Sequence, residues 1–237
     1  MKRAIRVFLW GGITALFLTP WAIAQNVALT SAGNNVTDGI YVSPYYATVN
    51  GATNTKIVCD DFDDNSYLGA SWTANIQSFS SLSSSLTNTA WGPVGKTLQL
   101  YEEAAWLTMG VLQQAAGSQG QINYSYAVWA VFDPTGVANW LTKYGDTTTY
   151  NAVFGSGQLL ATAAGNSYAT GEFSNVLIIT PEVAGLTCTA GSCPEQEFIE
   201  VVPEGGAALA YLLLAGLCCF GAMFMRSRRQ NTAIAVG

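Results

Sequence analysis

The hydrophobic positions along the chain change their spacing twice. Residues 26–58 contain short apolar runs rich in Val, Ile, Tyr and Thr that are broken by Gly, Asn and Pro, a pattern typical of β-strands. Two further runs of this kind lie at 175–181 and 197–202. We therefore predict strands at the beginning and at the end of the folded region.

Between these strands the apolar residues recur at helical spacing. One helix is predicted over 96–117 and a second over 118–134, where Pro134 ends it. Their apolar positions are Leu98, Tyr101, Ala105, Met109 and Leu112 in the first helix and Ile122, Tyr126, Trp129 and Phe132 in the second. Weaker helical patterns occupy 136–145 and 156–166. The serine-rich stretch 78–90 predicts a loop or a mobile flap.

The order of strands, helices and strands indicates the α+β class. We predict an antiparallel sheet with a few helices in one extracytoplasmic domain over residues 25–202. A region of about 180 residues is long enough to bury a sizeable core.

Residues 1–24 have the features of a secretory signal peptide. Basic residues precede a short apolar run, and a small-residue cleavage motif ends at Ala24. This arrangement is typical of a segment that is removed after export. We expect the mature protein to begin near Gln25.

The C-terminal region 203–237 predicts a membrane segment. Residues 205–225 carry no charge, and at about 1.5 Å per residue they span roughly one hydrocarbon core. A basic cluster follows at 226–229 and is expected to stay on the cytoplasmic side. It consists of Arg226, Arg228 and Arg229. The sequence thus predicts one transmembrane helix, with residues 25–204 outside.

Composition and charge narrow the function classes. The chain of 237 residues has no His, which excludes Ser-His-Asp and Cys-His catalysis and histidine metal sites. Residues 25–204, the exported region, hold three lysines and all 15 acidic residues, a net charge of −12. Such a charge disfavours nucleic acid and anionic lipid as partners. We expect that the domain is not an enzyme.

The densest acidic run is formed by Asp60, Asp61, Asp63 and Asp64. Its spacing is similar to the first half of a calcium loop, but the Gly and Glu that an EF-hand needs are missing. Calcium binding by these four residues is one interpretation. The other is a solvated turn whose side chains cap backbone groups. No other cofactor is expected.

Three cysteines lie in the exported region. Cys188 and Cys193 are close together in a Gly-containing loop, and export permits a disulfide between them. Cys59 is then the unpaired thiol.

The end of the chain resembles the sorting tail of PEP-CTERM proteins of Gram-negative bacteria. In that family a Pro-Glu-Pro motif precedes an apolar helix, and basic residues follow the helix. Val202, Pro203, Glu204 and Gly205 stand at the motif, with Gly205 where the family usually has its second Pro. The resemblance implies processing by a membrane-embedded exosortase, an inner-membrane intermediate, and a final location at the cell surface or outside the cell.

A second resemblance is to the thioester adhesin domains of Gram-positive surface proteins. These domains have a strand-borne Cys and a helix carrying Gln-x-Ala-Ile-Trp, and the Cys and Gln form an internal thioester that captures amines. Here Cys59 and residues 127–129 match, but Ser125 stands at the Gln position and Gln121 lies one helical turn away. The resemblance implies a related scaffold without the covalent chemistry.

Together these features predict an exported cell-surface or extracellular-matrix protein that contributes to exopolysaccharide, biofilm, envelope structure or adhesion. The expected partners are the exosortase, the secretion machinery, the membrane through the C-terminal helix, and extracellular polysaccharide. Two alternatives remain open. One is a secreted calcium-dependent module that binds or cleaves carbohydrate, and the other is a thioester-type adhesin that uses Gln121.

Overall fold

The structure is a computed structural model of the 237-residue chain. It describes residues 25–33, 36–37, 39–82, 84–144 and 173–203. The signal peptide, the weak helix at 156–166 and the transmembrane helix at 205–225 lie outside the described residues. Within the described ranges, no helix is long and apolar enough to cross a membrane.

Strands precede and follow the helices along the chain, as the sequence pattern predicted. The strands are β1 Gln25–Ser31, β2 Val36–Thr37, β3 Ile40–Tyr41, β4 Tyr45–Val49, β5 Ala52–Cys59, β6 Ser71–Ser78, β7 Val176–Val183, β8 Leu186–Thr187 and β9 Phe198–Val201. The helices are α1 Phe79–Leu82, α2 Leu98–Gln113, α3 Gln119–Phe132 and α4 Pro134–Tyr144.

Six of the strands close into an antiparallel barrel. They are hydrogen-bonded in the order β6, β1, β4, β5, β9 and β7, and β6 also pairs with β7. The register places Val27 opposite Val49 and Cys59 opposite Phe198. The prediction of an antiparallel α+β domain is confirmed. Strand β6 and the closure of the sheet, which leaves these strands without a free edge, were not predicted.

Helix α3 lies at the centre of the domain. Its residues 125–132 are all buried. Tyr126 and Trp129 belong to the apolar cluster that fills the barrel, whereas Val128 and Phe132 belong to the cluster shared with α2. The sequence predicted one apolar face on this helix. Two such faces are present because α3 is packed between the barrel and α2.

Polar caps define the ends of α3. The Ser118 hydroxyl oxygen accepts the backbone N–H of Gln121 at 3.2 Å, which begins the helix. At the other end the Asp133 backbone N–H donates to the carbonyl oxygen of Trp129 at 3.0 Å, and the Asp133 carboxylate accepts the backbone N–H of Gly136 at 2.9 Å, which caps the start of α4. Pro134 is the first residue of α4, where its missing N–H does no harm. It therefore ends α3 as predicted.

The serine-rich stretch 78–90 is anchored at both ends. Phe79 and Leu82 of α1 are buried, as are Ala90 and the following Trp91, and all four belong to the cluster shared with α2. The residues 84–88 between them are exposed or half-buried. The prediction of a loop is therefore right for the middle of this stretch and wrong for its ends, where apolar side chains hold it to the core.

Candidate functional site

Cys59 ends β5 and is fully buried. Its backbone N–H donates to the Ser43 hydroxyl oxygen at 3.1 Å, and its thiol donates to the carbonyl oxygen of Asp61 at 3.1 Å. Burial, followed by the charges of Asp61 and Asp60, raises the pKa of this thiol well above its usual range. Because only the thiolate is a good nucleophile, Cys59 is unreactive at neutral pH.

Ser125 of α3 is joined to Cys59 through Ser43. The Ser125 hydroxyl donates to the carbonyl oxygen of Ser43 at 3.3 Å and to that of Gln121 at 2.9 Å. Ser43 therefore bridges the strand-borne Cys and the helix position that the thioester resemblance singled out. The two sequence-predicted positions do come together, but the side chain at 125 is a hydroxyl instead of an amide.

The Gln121 side chain is hydrogen-bonded to the backbone elsewhere. Its amide oxygen accepts the N–H of Gly117 at 2.9 Å, and its amide nitrogen donates to the carbonyl oxygen of Val111 at 3.3 Å. Both bonds hold the turn between α2 and α3. A thioester formed with Gln121 would have to break them.

The mature protein is accordingly expected to show no loss of ammonia, the change in mass that accompanies an internal thioester. Intact-mass measurement of the protein and of Gln121→Ala tests this expectation, and neither should have lost ammonia. A mass lower by one ammonia that Gln121→Ala restores to the full value would contradict it.

The acidic run after β5 forms a capped turn. One carboxylate oxygen of Asp61 accepts the backbone N–H groups of Asp63 and Asp64, at 2.9 and 3.2 Å. Asp64 accepts the N–H of Gly191 at 2.9 Å. Among the described residues, no three His, Cys, Asp or Glu side chains are placed to hold a metal ion. Calcium binding by Asp60 and its three neighbours stays a prediction, and this geometry does not add to it.

The turn is solvated only in part, because Asp63 is exposed, whereas Asp60 and Asp61 are fully buried. Neither carboxylate oxygen of Asp60 accepts a hydrogen bond from another residue's N–H or O–H group in the described part of the chain. Its neighbour is the carboxyl group of Glu197, a buried residue that the sequence analysis missed. Two adjacent buried carboxyl groups stay together only if they share a proton.

Glu197 has three donors of its own. It accepts the Tyr101 hydroxyl and the backbone N–H of Ala90, each at 2.7 Å, and the Thr180 hydroxyl. Burial raises the pKa of Glu197 in spite of these bonds. Burial, together with the charge of Glu197, raises the pKa of Asp60 well above its usual range. Both shifts favour the protonated form of this pair of carboxyl groups.

Next to the acidic turn lies a cleft of about 690 Å³. Aromatic side chains dominate its lining, and three polar side chains join them. The aromatic residues are Tyr41, Tyr45, Phe62, Tyr67, Trp129 and Trp140, and the polar ones are Asn65, Ser66 and Gln196. None of the lining residues in the described part of the chain is charged. The sequence analysis named only Trp129 of this set, and only as a core residue.

The wall of the cleft is built by the acidic turn. The Gln196 side-chain amide donates to the carbonyl oxygen of Asp61 at 2.6 Å, and the Gln196 backbone N–H donates to the Ser66 hydroxyl oxygen at 2.9 Å. The Phe62 ring lies 5.2 Å from the ring of Trp129 and 6.0 Å from that of Trp140. The acidic residues thus position an aromatic wall.

Cys188 and Cys193 are free thiols in the structure. They hydrogen-bond to each other, and burial raises the pKa of both. The Cys193 thiol also donates to the carbonyl oxygen of Thr189 at 3.3 Å. The structure therefore shows two neighbouring thiols, and the disulfide stays a prediction for the exported protein.

Oxidation during export is expected to join these two thiols. The exported protein should then be lighter by two hydrogen atoms, and Cys188 and Cys193 should resist alkylation until they are reduced. A peptide that links Cys59 to either residue, or alkylation of both before reduction, would refute the pairing.

The sorting motif begins where β9 ends. The Val202 N–H donates to the carbonyl oxygen of Asn175 at 2.8 Å, and the Asn175 amide donates back to that of Val202 at 3.2 Å. Pro203 is exposed. The rest of the motif, Glu204 and Gly205, and the basic cluster of Arg226, Arg228 and Arg229 lie outside the described residues.

No family model matches the chain, and a comparison with curated proteins finds no match. The fold is similar to that of the N-terminal domain of the Streptococcus pyogenes pilus tip adhesin Cpa, with a TM-score of 0.40 and 10% identity over 78% of this chain and 97% of that one.

A second similar structure is the N-terminal thioester domain of fibronectin-binding protein SfbI from Streptococcus pyogenes. Its TM-score is 0.41 at 10% identity, over 77% of this chain and 95% of that one. Both neighbours are N-terminal domains of Gram-positive surface adhesins, the kind of protein named by the second resemblance. A likeness at this level concerns the fold and assigns no chemistry.

Proposed function

We propose that the protein is an exported cell-surface protein whose outer domain adheres to extracellular polymer without covalent capture, through the aromatic cleft. The observation that carries this proposal is the cleft itself, an aromatic pocket with no charged residue in its described lining. Its volume of about 690 Å³ lies within the range of ligand-binding sites.

The surroundings of the cleft favour binding over catalysis. A nucleophile needs an activating base or a lowered pKa, whereas burial raises the pKa of Cys59. The carboxyl groups of Asp60 and Glu197 are fully buried side by side. Non-covalent adhesion requires only a rigid, partly apolar surface, and the packed Phe62 and Trp129 rings provide one.

Binding is tested with the mature protein from its native host and with the extracellular polymer of that host. Tyr67→Ala removes the most exposed aromatic side chain of the cleft, which is 70% exposed. Leu186→Ala is the matched control, because Leu186 is 73% exposed and does not line the cleft. Retention of the polymer should fall for Tyr67→Ala alone. If the unaltered protein does not retain the polymer, the proposed function is wrong.

Sorting of the tail is the second element of the proposed function. Cleavage near residues 203–206 should release the outer domain from the membrane helix, since Pro203 holds an extended backbone just beyond β9. A tag placed after Gln230 should separate from the outer domain only in a host that has the exosortase. Pro203→Ala should leave an uncut precursor. A tag that stays attached whether or not the exosortase gene is present would show that the helix is a permanent anchor.

A further inference from the structure

We infer that the cleft binds an uncharged sugar unit of a polysaccharide chain, which stacks on aromatic rings and hydrogen-bonds to Asn65, Ser66 and Gln196. This assignment rests on the function proposed above and names its ligand class. It depends on three properties of the cleft: the shape of its aromatic surface, the placement of its polar groups and its charge.

The aromatic surface consists of a packed corner and an exposed rim. The rings of Phe62 and Trp140 stand at 81° to each other, and Trp129 behind them is 2% exposed, so packing fixes this part. Tyr67 and Tyr41 at the rim are 70% and 41% exposed. A sugar ring presents a flat face of C–H groups, and that face packs on an aromatic ring with little loss of conformational entropy.

The polar groups lie where the edge of such a ring needs partners. Ser66 and Gln196 are held in place by each other, and the Gln196 amide is fixed further by Asp61. Asn65 is exposed and offers both a donor and an acceptor. Hydroxyl groups require neutral donors and acceptors, and this combination of an apolar floor with a few fixed polar groups is typical of small-ligand sites.

The charge of the cleft and of the exported region determines which polymers are favoured as ligands. None of the described lining residues can neutralise an anionic or a cationic ligand group, and burying an unpaired charge is costly. The exported region carries a net charge of −12, from three lysines and 15 acidic residues. Polymers of uronic acids are therefore repelled, and neutral sugars are favoured.

The ligand is expected to be a segment of a longer chain. The rim of the cleft is formed by Tyr67, Tyr41 and Leu68, and Leu68 is 42% exposed. The cleft therefore opens to solvent and does not enclose its ligand. A polymer can enter and leave across this rim, with one or a few units held in the corner. Such a site matches the proposed adhesion to extracellular polymer.

Binding of defined oligosaccharides to the mature protein tests the inference. The panel contains a neutral glucan oligosaccharide, a neutral N-acetylglucosamine oligosaccharide, a uronic acid oligosaccharide and spermine. Calorimetry and tryptophan fluorescence are both suitable, because Trp129 and Trp140 line the cleft. We expect a neutral oligosaccharide to bind and to change the fluorescence, and the uronic acid oligosaccharide and spermine to bind at least about tenfold more weakly.

Variants connect this binding to the cleft. Tyr67→Ala should weaken the binding of the neutral oligosaccharide about tenfold, because it removes one of the aromatic rings on which the sugar packs. Leu186→Ala should leave it unchanged. Tyr67 is mostly exposed, so its truncation should not unfold the domain, and Trp140→Phe provides a second variant that keeps an aromatic ring.

The outcomes separate the ligand class from the proposed function. If host polymer is retained through Tyr67 but no neutral oligosaccharide binds, or if spermine or the uronic acid oligosaccharide binds more tightly, the assignment to neutral sugar is wrong and the adhesive function stands. If Tyr67→Ala and Leu186→Ala bind a neutral oligosaccharide equally well, the sugar does not occupy this cleft, and the assignment is again overturned. If host polymer is not retained at all, the proposed function itself fails.

Discussion

Raising the pH from about 5 to about 8 is expected to lower the free energy of unfolding of the outer domain. Burial, then the neighbouring Glu197 and Asp61, raises the pKa of Asp60 well above its usual range. Burial, then Asp64, raises the pKa of Asp61 to about 8. The groups that face this cluster from other elements are Tyr101 and Cys59, and burial raises the pKa of each of them as well.

The sign follows from proton binding. In the unfolded chain these carboxyl groups have a pKa of about 4, so above that pH the folded state holds protons that the unfolded state has released. The stabilisation is complete at low pH and is lost as the pH rises toward the raised values. Each proton involved contributes a slope of about 1.4 kcal/mol per pH unit. None of the groups acting most strongly on these pKa values is cationic, so no ion pair offsets the loss.

Asp60→Asn tests whether this carboxyl cluster causes the decline of stability with pH. The amide that replaces the carboxyl group can donate to Glu197 without an acidic proton, so the decline of stability with pH should become shallower. Glu182→Gln, which alters a carboxyl group outside the cluster, should keep the original slope. Chemical denaturation over a series of pH values measures all three proteins. Stability that rises between pH 5 and 8 in the unaltered protein would show that the cluster does not hold a proton.

Calcium provides a further control in the same experiment. If added calcium restores the stability of a chelator-treated sample at pH 8 and does nothing to Asp60→Asn, the cluster binds a cation where we place a proton. That result would favour the calcium interpretation of the acidic run. No effect of calcium on either protein agrees with the shared proton.

The local periodicity of the chain was enough to predict most of the elements. Apolar alternation and helical spacing located β1, β4, β5, β7 and β9 and the three long helices. Strand β6 was not predicted, because its sequence contains Ala, Asn and Gln at positions where most β-strands have residues of higher strand propensity. Its partner β7 lies about a hundred residues later in the chain, so closure of the barrel depends on long-range pairing that local patterns do not encode.

The buried acids were misinterpreted for a related reason. Four aspartates within five residues suggest a solvated turn or a calcium loop. Asp60 is buried because its backbone N–H pairs with the carbonyl oxygen of Glu197 at 3.3 Å, which extends the β5–β9 pairing past Cys59. Glu197 is distant in sequence, so nothing near Asp60 indicates its partner. By contrast, the neighbourhood of Cys59 and Ser125 was correctly anticipated, since a resemblance supplied the long-range relation.

Truncation of Trp129 is expected to have the largest effect of any single change in the cleft. Trp129 is 2% exposed, and its ring lies 5.2 Å from that of Phe62 and 5.3 Å from that of Tyr126. Its indole also contacts the Cys59 thiol. It therefore belongs to the barrel core and to the floor of the cleft at once. Replacing a buried Trp by Ala typically costs about 3–5 kcal/mol.

Trp129→Ala should therefore lose both stability and ligand binding, whereas Trp140→Ala should lose mainly binding, because Trp140 is only partly buried at the edge of the core. Trp129→Phe keeps a ring against Phe62 and should cost less than Trp129→Ala. Denaturant unfolding measures the stability of each variant, and retention of the host polymer measures binding under conditions where each is folded. Two results would contradict this prediction. One is a free energy of unfolding for Trp129→Ala within about 1 kcal/mol of that of the unaltered protein, and the other is a lower stability for Trp140→Ala than for Trp129→Ala. Either would show that the floor of the cleft does not link adhesion to the barrel core.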